Sequence, residues 1–150
     1  SAITNIRQDD SPNCTCTIGT GVTSLNLIRC WSGRMVNGSA VSGTTNPGYL
    51  EVLNSRYVQD TGTTTIAYAI VGQNGVLEHK AGNITNLVIG RGGVFDGRKN
   101  RNKTITITNL WLHSGGRIYI RNGLDSYAVT NVNNYGGTSD LELAKVTAVA

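Results

Sequence analysis

The sequence has little of what a helical or membrane-spanning protein needs. Charged residues make up 15% of its 150 residues, and proline occurs only twice. A helical bundle needs a surface rich in Glu, Lys, Arg and Ala, so the low charge disfavours that class. No uncharged apolar run approaches the roughly 18 residues that cross a bilayer. The sequence therefore predicts no membrane insertion.

The common signatures of catalysis and metal binding are also missing. There is no G-x-S-x-G nucleophile elbow, no P-loop and no H-E-x-x-H motif. His79 and His113 each stand alone, without Cys or His at the spacing of metal ligands. We therefore expect two structural histidines, no metal, no cofactor and no enzymatic activity.

Cysteine is scarce, with three residues near the N-terminus: Cys14, Cys16 and Cys30. Cys14 and Cys16 are too close in sequence for an easy mutual bridge, but either could pair with Cys30. One hypothesis is a single disulfide that pins the N-terminal segment. The other is three reduced, partly buried thiols, so the redox compartment stays open.

Turn and strand formers dominate what is present. The chain contains 19 Gly, 16 Asn and 18 Thr, and Val, Ile and Leu recur in short blocks throughout. Gly and Asn suit turns, Thr suits strands, and none is a strong helix former. The composition therefore predicts an all-β protein.

A repeat of about 21 residues runs along the chain. Its unit is a pair of apolar residues spaced by two, then a corner, then a second apolar strand, as in the stretches that begin at Leu87 and at Leu110. The predicted corner positions are 33, 56, 75, 93, 116 and 137. A single unit cannot bury its apolar face, but stacked units can, because their strands pair at about 4.8 Å.

This period predicts a right-handed parallel β-solenoid of about six coils. One interior ladder is expected from Val52, Ile70, Ile89, Leu112 and Val132. We assign residues 1–22 to an N-terminal cap, 23–143 to the solenoid repeats and 144–150 to a C-terminal tail. The alternative is an antiparallel β-sandwich, jelly roll or prism, because short strands with frequent turns predict those folds as well.

The second half of the chain resembles a known group of repeats. The relevant pieces are Asn74-Gly75-Val76, Gly92-Gly93-Val94, Ser114-Gly115-Gly116-Arg117 and Tyr135-Gly136-Gly137. They resemble the Gly-Gly repeats in the passenger domains of self-associating autotransporter adhesins from Gram-negative bacteria. The resemblance implies a parallel β-helix, an extracellular or cell-surface location, and a role in adhesion and cell–cell aggregation.

That family also carries an export signal and a C-terminal membrane barrel, which this sequence lacks. If the resemblance holds, we expect the chain to be an excised part of a longer protein. Phage tail and decoration proteins also use short β-solenoids, so a virion component that acts as a homotrimer is the alternative.

Two acidic residues form the best candidate for catalysis. Glu78 and Asp96 each follow a corner glycine by three residues, so a solenoid would place them roughly 5 Å apart on adjacent coils. Retaining glycosidases use two carboxylates at about that separation. A polysaccharide-cleaving enzyme is therefore the third hypothesis, after the non-catalytic binding module and the virion component.

Several other side chains suit contact with a glycan or a polyanion. Aromatic faces pack against sugar rings, and Trp111 and Tyr119 both lie between apolar neighbours that are expected to point inward. Gln59 and Tyr119 share the corner-plus-three position of the two carboxylates and would extend them into one stripe. The basic cluster that contains Arg98 and Lys99 could hold a polyanion. We expect self-association or a homotrimer, with a glycan or polyanion as a further partner.

Overall fold

The chain forms a stack of strands arranged in two sheets. The computed structural model describes residues 2–9, 12–19, 22, 24–38, 48–60, 65–98, 104–120, 127–140 and 145–146. The odd-numbered strands form sheet A and are β1 Ala2–Gln8, β3 Ser24–Cys30, β5 Tyr49–Leu53, β7 Ile66–Gly72, β9 Ile84–Ile89, β11 Ile105–His113, β13 Tyr127–Tyr135 and β15 Lys145–Val146. The even-numbered strands form sheet B and are β2 Thr15–Ile18, β4 Arg34–Asn37, β6 Arg56–Gln59, β8 Val76–His79, β10 Val94–Asp96, β12 Arg117–Tyr119 and β14 Thr138–Asp140.

The connectivity is that of a parallel β-solenoid. The chain alternates between the sheets, and each strand pairs in parallel with the strand two places further along the sequence. The predicted solenoid is therefore confirmed, and the antiparallel sandwich is wrong. One strand of sheet A and the following strand of sheet B together form one level of the stack. Paired strands lie about 21 residues apart, and the sequence repeats because each level must present the same pattern of side chains to the next.

The core lies between the two sheets and is filled by ladders of apolar side chains. One ladder runs through sheet A, with all members fully buried: Cys30, Val52, Val71, Ile89 and Leu112. Sheet B faces it with Met35, Tyr57, Leu77, Phe95 and Ile118, which are also fully buried. Burying a large apolar side chain contributes roughly 1.5–3 kcal/mol, so these ladders hold the levels together.

Two members of the predicted interior ladder are wrong. Ile70 lies on the outer face, and its neighbour Val71 takes the interior position. Val132 pairs with Leu110 rather than with Leu112, and so belongs to a parallel interior row. Successive strand residues point to opposite faces, so a slip of one residue moves a side chain from the core to the surface.

Four corners between sheet A and sheet B leave no room for a side chain. Each of these corners consists of two residues, and the second residue is Gly75, Gly93, Gly116 or Gly137. A Cβ atom on any of these four glycines would lie less than 3 Å from a backbone or side-chain atom of the preceding level. The first residue of each corner has positive φ, and these first residues are Asn74, Gly92, Gly115 and Gly136. The Gly-Gly and Asn-Gly motifs are therefore the signature of a tight corner against the strand of the preceding level.

Ser55 replaces glycine at one corner, and the predicted corner position 56 is off by one residue. Ser55 precedes Arg56, which pairs with Val76, so Ser55 lies opposite Gly75. Its hydroxyl donates a hydrogen bond to the carbonyl oxygen of Cys30. A serine is accepted here because it bonds to the backbone group that excludes a side chain at the glycine corners.

The segments that we assigned to a cap and a tail contain strands of the solenoid. β1 and β2 lie within residues 1–22 and continue the two sheets by pairing with β3 and β4. β15 lies within residues 144–150 and pairs with β13. In the described part of the chain no helix is long and apolar enough to span a membrane.

Candidate functional site

The two predicted carboxylates lie side by side on the outer face of sheet B. Glu78 and Asp96 occupy paired positions on β8 and β10, as their spacing predicted. Glu78 is buried and forms an ion pair with Arg56. Asp96 accepts two hydrogen bonds from the guanidinium of Arg98, at 2.9 and 2.7 Å. Each carboxylate thus faces an arginine, and charge-assisted contacts of this kind fix the side chains on this face of the sheet.

Tyr119 continues the row of the carboxylates, but Gln59 does not. Tyr119 pairs with Asp96, and the guanidinium carbon of Arg98 lies 4.9 Å from the centre of its ring. Gln59 pairs with His79 instead and is fully buried inside the solenoid. Gln59 therefore does not belong to the predicted stripe. The corner was predicted at residue 56 instead of 55, so the residue three places after it was also predicted one place too late.

The remaining predicted contact residues lie elsewhere. Trp111 is half-buried on the outer face of sheet A, between Val88 and Asn133 of the neighbouring strands. It therefore lies on a different sheet from Tyr119, and the structure does not bring the two aromatic side chains together. Lys99 lies outside the described residues.

The three cysteines are free thiols in the structure. Cys14 is exposed, Cys16 is half-buried and Cys30 is buried in the core. Burial raises the pKa of the Cys30 thiol, which keeps it protonated and unreactive. No group of three or more His, Cys, Asp or Glu residues that could hold a metal ion occurs among the described residues.

The interior contains a polar cluster that the sequence did not reveal. The Tyr127 hydroxyl donates to the main-chain oxygen of His79 at 2.9 Å and lies 3.1 Å from Nδ1 of the same residue. Because the hydroxyl has a single proton, Nδ1–H of His79 must be the donor in the second contact. Nε2 then carries a lone pair, with no partner in the described part of the chain. Burial lowers the pKa of His79 to about 3.

Gly97 makes room for this cluster. A Cβ atom at Gly97 would lie 2.8 Å from two ring carbons of Tyr127. Phe95 packs edge-on to the Tyr127 ring, with the ring centres 5.9 Å apart. The Tyr127 side chain of sheet A therefore contacts His79 of sheet B through space that a side chain at Gly97, on one of the two levels between them, would fill.

Sheet A presents an outer face without charged residues over four consecutive strands. β7, β9, β11 and β13 contain no Asp, Glu, Lys or Arg. On sheet B, by contrast, β4, β6, β8, β10, β12 and β14 each contain one. We call the outward-facing residues of β7, β9, β11 and β13 the uncharged face.

Asparagines form a hydrogen-bonded ladder along the uncharged face. Asn131 donates to Asn109 at 2.8 Å, and Asn109 donates to Asn86 at 2.9 Å. Asn86 in turn pairs with Tyr68, whose ring stacks on that of Tyr49 at an angle of 5° and a centre-to-centre distance of 5.9 Å. This outer row therefore consists of two stacked tyrosine rings followed by three hydrogen-bonded asparagine amides, with one side chain on each successive strand.

A second outer row beside the ladder is mostly apolar. It is formed by the half-buried Ile70, Val88 and Trp111, and ends at Asn133. Tyr135, at the end of β13, is 58% exposed and stacks on His113 with ring centres 5.2 Å apart. The uncharged face therefore combines apolar, aromatic and amide side chains. Aromatic residues are enriched at protein interfaces, and charged residues are depleted from the interface core.

No protein-family model matches the chain, and comparison with curated proteins and with solved structures gave no match either. The likeness to the Gly-Gly repeats of autotransporter adhesins stays a prediction.

Proposed function

We propose that the protein is a non-catalytic module that associates with further copies of itself through the uncharged face. The observation that carries this proposal is the absence of charged residues from four consecutive strands of sheet A. The net charge of the chain is +4, so two copies repel each other in most orientations. Contact through the uncharged face brings no charged residue of these four strands against the partner.

The repeat of the solenoid supports a second copy as the partner. Side chains recur along the uncharged face at the strand spacing of about 4.8 Å. Another copy carries the same repeat, so a contact made at one level can be made again at the next. Many weak contacts of this kind add up, and they add further when several copies are displayed on one surface.

The asparagine ladder keeps hydrogen-bonding capacity for a partner. A side-chain amide has two N–H groups and two oxygen lone pairs. Within the ladder Asn109 uses one N–H toward Asn86 and one lone pair toward Asn131. The second N–H and the second lone pair remain for an amide on another copy. The ladder also holds the side chains in fixed rotamers, which lowers the entropy lost on association.

A role in adhesion at a cell surface follows from this proposal. A rod that self-associates along one face joins two surfaces when each of them carries it. This is the function that the likeness to autotransporter repeats implied.

A matched pair of valine substitutions tests the interface. Val88 and Val94 belong to neighbouring strands of the same level, both are half-buried, and they face outward from sheet A and sheet B respectively. We expect Val88→Lys to weaken self-association at least about tenfold, because it places an unpaired charge in the contact. Val94→Lys should leave association unchanged. Sedimentation velocity over a series of protein concentrations measures both, and circular dichroism checks the fold.

Two results would contradict the proposal. The first is a wild-type chain that stays monomeric at every concentration. The second is an oligomer, including a closed trimer, that Val88→Lys and Val94→Lys affect equally, since the contact would then not lie on sheet A.

A further inference from the structure

Three residues in the described part of the chain have positive φ without being glycine. They are Asn54 with φ 47°, Gln73 with φ 46° and Asn74 with φ 62°. The left-handed region costs an L-residue with a Cβ atom roughly 1–2 kcal/mol, and Asn tolerates it better than Gln does. The corners of the following levels avoid this cost with Gly92 and Gly115.

Gln73 is the least expected of the three. Gly75 N–H donates to the Gly72 carbonyl at 2.8 Å, and both residues between them have positive φ, as in a type I′ turn. Such turns select Asn, Asp and Gly at their two central positions. Local backbone preference therefore does not explain Gln73, and a strained position of this kind points to a function.

All three strained residues line surface cavities at the corners between the sheets. A cavity of about 440 Å³ is lined by Gln73, Asn74, Arg91 and the glycines at 92 and 115. A smaller one of about 200 Å³ is lined by Trp31, Leu53, Asn54 and Gln73. The two cavities share Gln73 in their lining and are therefore adjacent. We call them together the corner groove.

The side chains of the corner groove offer three kinds of contact. Gln73 and Asn74 present an amide donor and an amide acceptor side by side, which matches two neighbouring hydroxyls of a sugar ring. Arg91 is exposed, and its guanidinium matches a carboxylate in bidentate geometry. Trp31 and Leu53 supply an apolar wall, and aromatic and apolar faces pack against sugar rings.

Two further observations describe the donor and the charges around Trp31. The indole Nε1–H of Trp31 is buried and has no hydrogen-bond partner among the described residues, so it is a donor without an acceptor. The guanidinium carbons of Arg7 and Arg29 lie 4.6 and 5.6 Å from the centre of the Trp31 ring. Both of these arginines are paired with carboxylates, Arg7 with Asp9 at 2.6 Å and Arg29 with Glu51 at 3.2 Å. Arg91 has no ion pair among the described residues, so it supplies the positive charge of the corner groove.

We propose that the corner groove binds a saccharide that carries carboxylate groups, with Arg91 on a carboxylate and the Gln73 and Asn74 amides on ring hydroxyls. The larger cavity lies within the range of 300–1,000 Å³ that is typical of small-molecule sites. The corner groove lies at the corners between the sheets, and binding there does not depend on self-association through the uncharged face.

Gln73→Gly separates binding from stability. Glycine relieves the positive φ, so the thermal midpoint of the variant should equal or exceed that of the wild type. Loss of the amide should weaken binding of a mannuronate trisaccharide about tenfold, as measured by isothermal titration calorimetry. A merely structural role for Gln73 would leave the affinity unchanged, and that result would overturn the proposal.

Charge and ligand controls complete the experiment. Arg91→Gln should weaken binding of the mannuronate trisaccharide at least about tenfold, whereas Arg117→Gln, which removes an exposed arginine of the next level, should leave it unchanged. Equal losses in the two variants would indicate unspecific attraction to the net charge and overturn the proposal. Mannotriose, which has the same ring stereochemistry without carboxylates, should bind at least tenfold more weakly. Failure of the wild type to bind the mannuronate trisaccharide, or equal binding of both sugars, would also overturn it.

Discussion

Gly93→Ala is expected to destabilise the protein by at least about 3 kcal/mol. A Cβ atom at Gly93 would lie 2.7 Å from the carbonyl carbon of Val71, and closer still to its oxygen. The obstacle is backbone of the preceding level, which is itself held by strand pairing between β7 and β9. The added methyl can therefore be accommodated only by separating the two levels at this corner.

Gly90→Ala is the matched control, because it makes the same change at the other end of the same turn. A Cβ atom there would be no closer than 3.8 Å to its nearest neighbours, the Gly72 Cα and the Val71 oxygen. Its φ is not in the left-handed region, so alanine should be neutral or slightly stabilising. Thermal unfolding should place Gly93→Ala at least about 6 °C below the wild type and Gly90→Ala within about 2 °C of it. Equal midpoints for the two variants would contradict our account of the corners.

The second large effect is a loss of stability in mild acid, caused by His79. Burial lowers the pKa of His79 from 6.5 to about 3 in the folded protein. As the pH falls below 6.5, the unfolded chain takes up a proton at this residue while the folded chain does not. Stability is therefore lost between pH 6.5 and 3, at up to about 1.4 kcal/mol per pH unit. Between pH 6.5 and 4.5 the loss amounts to about 2.3 kcal/mol.

His79→Leu should remove this part of the pH dependence. Leucine fills a similar volume, and the Tyr127 hydroxyl can still donate to the main-chain oxygen of residue 79. Urea unfolding at a series of pH values from 7 to 4.5 measures the slope. The control is His113→Leu, which removes an exposed histidine and should keep the wild-type slope. An unchanged slope in His79→Leu would show that the acid sensitivity arises elsewhere.

The sequence predicted the architecture because its strongest signals are local. Gly75, Gly93, Gly116 and Gly137 mark corners that leave no room for a side chain, and their regular spacing indicates one strand pair per level. Where the corner is Asn54-Ser55, that signal is absent, and the predicted position slipped by one residue. Because of this error we predicted Gln59 on the outer face, whereas it is buried in the core.

The sites were harder to predict because they depend on contacts between distant levels. His79 and Tyr127 are 48 residues apart, and their contact depends on the missing side chain at Gly97. Trp111 was placed correctly on an outer face, but no periodicity within one strand reveals that it lies on a different sheet from Tyr119. The strain at Gln73 is likewise invisible in the sequence, since Gln-Asn-Gly reads as an ordinary turn.

The stacking of strands in parallel register also determines how the molecule should respond to force. Within each sheet, every strand except the two at the ends is hydrogen-bonded to the strand before it and the strand after it. A force along the axis of the stack acts on these strand pairs in series. The levels should therefore separate one at a time, beginning at the end where the force acts. In the proposed adhesive role, this stepwise separation would dissipate energy before the connection between two cells broke.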